Sequence, residues 1–212
     1  MERISRVVGP ASTNVHVLAD ERSREAIAVD TAIPSFAWIA DELAACNWTL
    51  KLIISTHGHW DHIGDNAAVA AATGAEIAVH PLDRESLRHP MPLWAPFEIP
   101  SSVAAVEVAE GGEIRFGEIR LRVLHTPGHT PGSVCLQATD EGLLFSGDTL
   151  FAGGWGRVDL PGGSAEAIVE SLGRLAELEP ITAVLPGHGP GTTIGRERPW
   201  LELVRSRRQL PV

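Results

Sequence analysis

Six consecutive residues concentrate the reactive chemistry of this sequence. His57-Gly58-His59-Trp60-Asp61-His62 holds four side chains able to bind a metal ion. On a helix, residues i and i+2 face different sides, so His57 and His59 could not meet one ion there. In a tight loop leaving a strand they can, and Gly58 relaxes the backbone between them. Asp61 and His62 follow closely enough to reach a second ion nearby. Three further residues share this setting, each past an apolar run and next to a glycine. They are His129 after Thr126-Pro127-Gly128, Asp148 after Ser146-Gly147, and His188 after Pro186-Gly187. Imidazole and carboxylate without thiolate suit zinc, iron or manganese. Five histidines and two aspartates are enough for two divalent ions, zinc foremost, with the second aspartate free to bridge. Two ions ~3.5–4 Å apart can share a hydroxide, whose parent water is acidified toward a pKa of ~7.

Loops of this kind need strands to aim them. Residues 3–8, 13–19 and 25–30 read as a strand meander, and 51–56 as a buried strand running into the histidine cluster. Helical spacing covers 34–46, with Ser35 as a possible N-cap, and 65–73, closing at Gly74. Residues 76–80, 104–109, 113–116 and 119–124 read as further strands; Ile119, Leu121 and Val123 alternate with Arg120 and Arg122. A hairpin is expected over 133–138 and 143–147, turning at Asp140-Glu141-Gly142. A helix over 164–178, a strand over 181–185 and a helix over 197–208 complete the chain. Apolar runs alternating with helical patterns predict a layered α/β architecture. In α/β sheets ligands gather beyond strand carboxyl ends, and this places all seven groups at one site. Residues 88–100 carry four prolines and no period, which predicts a long loop. Its Met91, Trp94 and Phe97 either cap a core edge or form a pocket lip.

Composition bounds the rest. The chain has 212 residues, 44% of them hydrophobic, long enough for one domain with a full core. A net charge of −10 argues against a basic nucleic-acid surface. No apolar run approaches the ~18 residues of a membrane span, and Met1-Glu2-Arg3-Ile4-Ser5-Arg6 lacks a signal-peptide layout. With only Cys46 and Cys135, a reducing cytoplasm is the expected setting. Four of the nine histidines, His16, His80, His89 and His125, read as bystanders, and Trp60 as a packing wedge.

Together the His-x-His-x-Asp-His run, Thr126-Pro127-Gly128-His129-Thr130-Pro131-Gly132, Ser146-Gly147-Asp148 and Pro186-Gly187-His188-Gly189 resemble the metallo-β-lactamase-fold hydrolases over nearly the whole chain. The resemblance implies a four-layer αββα sandwich with the metal site at one edge. It implies a first ion on His57, His59 and His129, a second on Asp61, His62 and His188, and Asp148 bridging them. The segment from Phe151 to Gly163, with Gly156-Arg157-Val158-Asp159, resembles the short bacterial glyoxalase II-like (hydroxyacylglutathione hydrolase-like) branch, as does Pro190-Gly191-Thr192-Thr193-Ile194-Gly195. The longer glyoxalase II enzymes add a helical carboxy-terminal domain. Only 24 residues follow His188 here (212 − 188), so residues 1–212 are expected to form a single domain without it. Those enzymes also hold glutathione with tyrosine and lysine, and this chain has no tyrosine. Arg157 stands where they place a lysine, as a candidate anion anchor or as a loop arginine paired with Asp159. Two departures touch the substrate wall: Asp30 precedes Thr31-Ala32 instead of a glycine pair, and Arg196-Glu197-Arg198 replaces Tyr-Glu-Arg.

The implied activity is metal-dependent hydrolysis of a small-molecule thioester of the acyl-glutathione type. As the resemblance implies, a metal-bound hydroxide would attack the carbonyl carbon, with Asp61 expected to orient it, Asp148 to bridge the ions and the thiolate to leave as the C–S bond breaks. The rival within the same superfamily is a persulfide dioxygenase with one iron on His57, His129 and Asp148. A non-enzymatic binding module fits less well, because no ligand of the set is missing.

Overall fold

Period-two alternation sorts the strand side chains of this chain between two faces, and two sheets result. In the computed structural model, which describes residues 1–211, the first sheet holds β1 (Glu2–Val8), β2 (Thr13–Ala19), β3 (Glu25–Val29), β4 (Thr49–Ile54), β5 (Glu76–Val79) and β6 (Val106–Glu107) in chain order. Its first three strands are antiparallel neighbours, and pairing from β3 to β6 is parallel. The second sheet takes β7 (Glu113–Phe116), β8 (Ile119–His125), β9 (Val134–Ala138) and β10 (Leu143–Gly147). A separate ribbon of β11 (Leu150–Phe151) and β12 (Gly154–Trp155) follows. Then β13 (Ala183–Pro186) and β14 (Thr192–Thr193) complete the order β14-β13-β10-β9-β8-β7. The helices are α1 (Phe36–Cys46), α2 (Trp60–Ile63), α3 (Asn66–Thr73), α4 (Arg84–Arg88), α5 (Ala165–Leu175) and α6 (Ile194–Arg207).

Neighbouring residues go to different cores. Val17, Ala28 and Ile53 pack outward against Trp38, Ile39 and Leu43 of α1 and Val69 of α3. Their neighbours Leu18, Ile27, Val29 and Ile54 face inward onto Phe116, Leu121, Val123, Leu136 and Phe145 of the second sheet. On the far side of that sheet Leu124, Cys135 and Leu144 meet Ile168 and Leu172 of α5 and Leu201 and Val204 of α6. Helices, sheet, sheet, helices: the αββα sandwich follows from burying both faces of both sheets.

The differences from the sequence reading are local. Ser35 makes no side-chain cap. Instead Asp65 Oδ2 accepts from the Ser35 and Phe36 amides at 2.6 and 2.8 Å, so a carboxylate from another loop closes the start of α1. The final helix starts at Ile194, capped by the Thr193 hydroxyl, which accepts from the Arg196 amide at 3.2 Å. The helix expected over 164–178 ends at Leu175. The ribbon, β14, α4 and the single turn α2, which carries Asp61 and His62, are too short to show a hydrophobic period in the sequence. Beyond α4 no regular element occurs before Val106. Among the described residues, no helix is long and apolar enough to cross a membrane.

Candidate metal centre

Strand ends and the loops after them bring seven side chains to one edge of the sandwich. His57 and His59 follow β4, Asp61 and His62 lie on α2, and His129 lies between β8 and β9. Asp148 follows β10 and His188 follows β13. Three ligand-grade groups form there: His57, His59 and His129; Asp61, His62 and His188; and His57, His62 and Asp148. His59 Nδ1 lies 2.8 Å from His129 Nε2, and His62 Nε2 lies 3.2 Å from His188 Nε2. Asp148 reaches both sides, with Oδ2 3.5 Å from His129 Nε2 and Oδ1 3.5 Å from His62 Nε2. Asp61 Oδ2 is 3.2 Å from His188 Nε2.

Two atoms at the heart of this cluster, His57 Nε2 and Asp148 Oδ1, are buried without a hydrogen-bond partner among the described residues. A buried acceptor left so is costly. A cation satisfies both atoms and the facing imidazole nitrogens at once, so the donor set fits divalent ions.

The hydrogen bonds behind the cluster fix which ring nitrogen faces it. Thr56 Oγ1 donates to Asp30 Oδ2 at 3.0 Å, so it accepts from His57 Nδ1 at 3.1 Å and leaves the Nε2 lone pair on the cluster. His62 Nδ1 donates to Asp30 Oδ2 at 2.8 Å, and His129 Nδ1 to the Arg157 carbonyl at 2.7 Å. Asp30, which is itself left-handed at φ 59, thus serves two histidines. Thr31 and Ala32 are not among the positive-φ residues, so this turn does not need a glycine pair.

Electrostatics favour the coordinating forms of Asp148, Asp61, His57 and His59, and the protonated forms of His62 and His188. Burial would raise Asp148, but His62, His188 and His129 outweigh it and hold the carboxyl far below its usual range. Asp61 is lowered likewise, against burial, by His62 and His188. Burial, then the neighbouring His62, pushes His57 well below an ordinary histidine, and burial with His129 takes His59 to about 4. His62 is raised to about 9 despite burial by Asp30, Asp148 and Asp61, and His188 to about 11 by Asp148 and Asp61. Those two imidazolium charges balance the carboxylates, a role that bound cations would take over with release of protons.

Several residues that hold this site together carry no signal in the sequence reading. Asp83, 2% exposed, lies just before α4. Its Oδ2 accepts from the Gly58 amide at 2.8 Å and the Thr130 hydroxyl at 2.6 Å, and its Oδ1 from the Gly132 amide at 2.8 Å. One carboxylate therefore ties the loop of His57 and His59 to the loop of His129. The approach is close: a Cβ on Gly132 would lie 2.6 Å from Asp83 Cγ. Asn14 Nδ2 donates to the Pro186 and Gly189 carbonyls and so brackets His188. Glu197 accepts from the Gly153 amide, Thr192 and Trp200, tying the ribbon to α6.

A cleft of about 430 Å³ opens over the cluster. Trp94, Phe151, Trp155 and Leu160 form its apolar wall, and Arg157 lines it too. Arg157 also makes a two-pronged pair with Asp159, both contacts at 2.7 Å. The proline-rich loop divides its roles by residue: Trp94 lines the cleft, while Phe97 packs at 5.8 Å on buried Trp60. His16, His80, His89 and His125 stay outside the three ligand groups.

Comparison with known proteins agrees with this geometry. The family model of the metallo-beta-lactamase superfamily matches residues 8–188. An uncharacterized protein of Aquifex aeolicus is 38% identical over 90% of this chain and 91% of its own. The hydroxyacylglutathione hydrolase of Maricaulis maris is 35% identical over 81% of this chain, which spans only 60% of that enzyme. Among solved structures, the BLEG-1 B3 metallo-beta-lactamase superposes with a TM-score of 0.87 at 33% identity, covering 94% of this chain and 99% of that one. TTHA1623 in a di-iron-bound form gives 0.82 at 33%, covering 98% of each chain. ETHE1 from Myxococcus xanthus gives 0.82 at 28%, covering 97% of this chain and 85% of its own. With the sandwich, the histidine–aspartate cluster and these matches in agreement, the chain belongs to the metallo-beta-lactamase superfamily.

Proposed function

We propose that this protein is a metal-dependent hydrolase of small-molecule thioesters, in the manner of the acyl-glutathione hydrolases it resembles. The observation that carries the reading is the convergence of two three-residue ligand groups with Asp148 in contact with both. His57, His59 and His129 would hold one divalent ion, and Asp61, His62 and His188 a second, with Asp148 between them. Zinc is the first choice, and iron or manganese suit the same donors. Bound there, such ions supply Lewis acidity for a carbonyl oxygen and a water acidified to near-neutral pKa.

The protein's own groups do the rest. Asp30 and the Arg157 carbonyl accept from Nδ1 of His62 and His129 and hold both imidazoles with Nε2 toward the cluster. Asp61 faces the cleft beside His188, placed to orient a nucleophile on the substrate side. The aromatic wall narrows the approach to the cluster. A thiolate leaves without a strong general acid. The hydroxyacylglutathione hydrolase of Maricaulis maris, over the part that aligns, supports the reaction class.

Protein loaded with zinc, iron or manganese is expected to turn over thioesters, S-lactoylglutathione among the panel, and His59→Ala to lose that activity. The second reading is the mononuclear-iron persulfide dioxygenase using His57, His129 and Asp148, a family that also carries a Gly-Arg-x-Asp loop like Gly156-Arg157-Val158-Asp159 here. One iron per chain with oxygen uptake on glutathione persulfide, and no thioester turnover, would replace the proposal.

A further inference from the structure

Beyond the metal centre at its floor, the cleft is walled by apolar surface and offers a substrate carrier very few cationic side chains. Among the described residues lining it, Arg157 is the only lysine or arginine. Its guanidinium is already engaged on both prongs by Asp159 and lies 5.8 Å from the Trp94 ring. A glutathione carrier brings two carboxylates and one ammonium, so its net charge is negative and one carboxylate has no cation of its own. To seat one, Arg157 must share or surrender Asp159, and the second finds no lysine or arginine in the cleft and the Asp159 carboxylate nearby. A carboxylate brought into an apolar cleft without a partner is strongly disfavoured.

The apolar wall is large and held from behind. Trp155 packs at 5.7 Å on Trp200, whose indole N–H donates to Glu197, and Glu197 also holds the Gly153 amide of the same ribbon. Phe151 lies across from His188 with ring centroids 6.3 Å apart. Trp94 is 55% exposed, a large apolar ring left open to solvent beside the metal ligands. It is steadied from behind by Trp60, 6.3 Å away. Rings held this way, with so much free apolar face, have an aromatic or branched apolar group as their natural partner.

We infer that the thioester this cleft takes presents an aromatic or similarly flat apolar group to Trp94, Phe151, Trp155 and Leu160, on a carrier thiol with at most one anionic group. This rests on the thioester-hydrolase reading above and narrows its substrate class. Phenylacetyl and acetyl thioesters, each on uncharged N-acetylcysteamine and on glutathione, test it as four values of kcat/KM for the metal-loaded protein. Phenylacetyl is expected to exceed acetyl on N-acetylcysteamine by on the order of 10–100-fold, the worth of burying a phenyl ring. N-acetylcysteamine is expected to exceed glutathione several-fold for the same acyl group. Trp155→Ala should shrink the first ratio to a few-fold.

A binding measurement does not depend on turnover. The thioether S-phenethyl-N-acetylcysteamine should quench tryptophan fluorescence at lower concentration than S-phenethylglutathione. Rates indifferent to the acyl group, or glutathione preferred in rate or binding, overturn the inference and leave thioester hydrolysis standing. No turnover of any of the four by protein with its ions bound overturns the hydrolase reading, and the thioether comparison still decides what the cleft prefers.

Discussion

Replacing Asp83 with asparagine tests whether the metal centre is assembled from outside its own ligands. Asp83 touches none of the seven candidate ligands, yet its carboxylate holds the amides of Gly58 and Gly132 and the hydroxyl of Thr130. Asparagine keeps the shape and replaces one acceptor oxygen with a donor. With the NH2 toward Gly132, it opposes the Gly132 N–H. With the NH2 toward Gly58, Thr130 can turn and donate to Ser133 Oγ, 2.8 Å away, and the Gly58 N–H is opposed. Either way one buried amide loses a bond to a carboxylate, which costs about 1.5–3 kcal/mol. If the loss falls on the assembled centre, it weakens metal binding by ~10–100-fold, the usual effect of breaking a partner behind a ligand. Competition with a chromophoric zinc indicator would measure this, alongside thermal unfolding of the metal-free protein. The affinity loss should concentrate in the site of His57, His59 and His129, because Gly58 lies between the first two and Gly132 shares the loop of the third. Metal-free protein, whose loops can relax, should lose only a few degrees. Unchanged zinc affinity at both sites, with the full cost appearing as a fall of ~3–12 °C in the metal-free protein, would refute the reasoning and leave Asp83 a purely structural residue.

Further outcomes follow from the same geometry. Chelation should lower the Tm of metal-loaded protein by ~8–16 °C for each ion whose free concentration had stood at ~1,000 times its Kd, as scanning calorimetry would show. Gly187→Ala would place a Cβ 2.2 Å from Asp148 Oδ1 and 2.8 Å from His62 Cε1. It should cost about 1–3 kcal/mol in denaturant unfolding and lower the metal content of the purified protein. His16 is buried, and burial, then the charge of Arg3, takes its pKa down from 6.5 to about 3. Below pH 6.5 the unfolded chain therefore binds a proton that the folded one refuses. Stability should fall by ~1.4 kcal/mol per pH unit from that group as pH drops from 6.5 toward 3. The slope should flatten in His16→Gln when urea midpoints are followed across that window.

The parts of this molecule that were legible in its sequence are those whose signal is local. Val17 and Leu18, or Ile53 and Ile54, go to opposite faces of one sheet because successive strand residues must, so alternation along a few residues is enough to read layers. His57, His59, Asp61 and His62 stand close together in sequence as in space, and their residue types alone suggest a metal. His129, Asp148 and His188 were legible for a weaker reason: each follows an apolar run through a glycine, and the ends of strands meet at one edge. Asp83 had no such mark. Its partners Gly58, Thr130 and Gly132 lie 25, 47 and 49 positions away, and the turn that carries it is only three residues long. Asp65 closing α1 from 30 positions away is the same case. A carboxylate that collects donors from distant loops looks, in one dimension, like any surface aspartate, and only burial sets it apart. The chemistry of the site is therefore written in clustered residue types, while the support that gives it geometry is written in pairings that exist only once the sheets have stacked. The cleft wall falls between the two. Trp94 stood out by composition, but only the fold turns it toward the ligands and sets half-buried Phe97 against Trp60. For that reason the metal cluster and the superfamily could be read from the sequence, whereas the apolar preference inferred for the cleft rests on the placement of Trp94, Trp155 and Asp159 around Arg157.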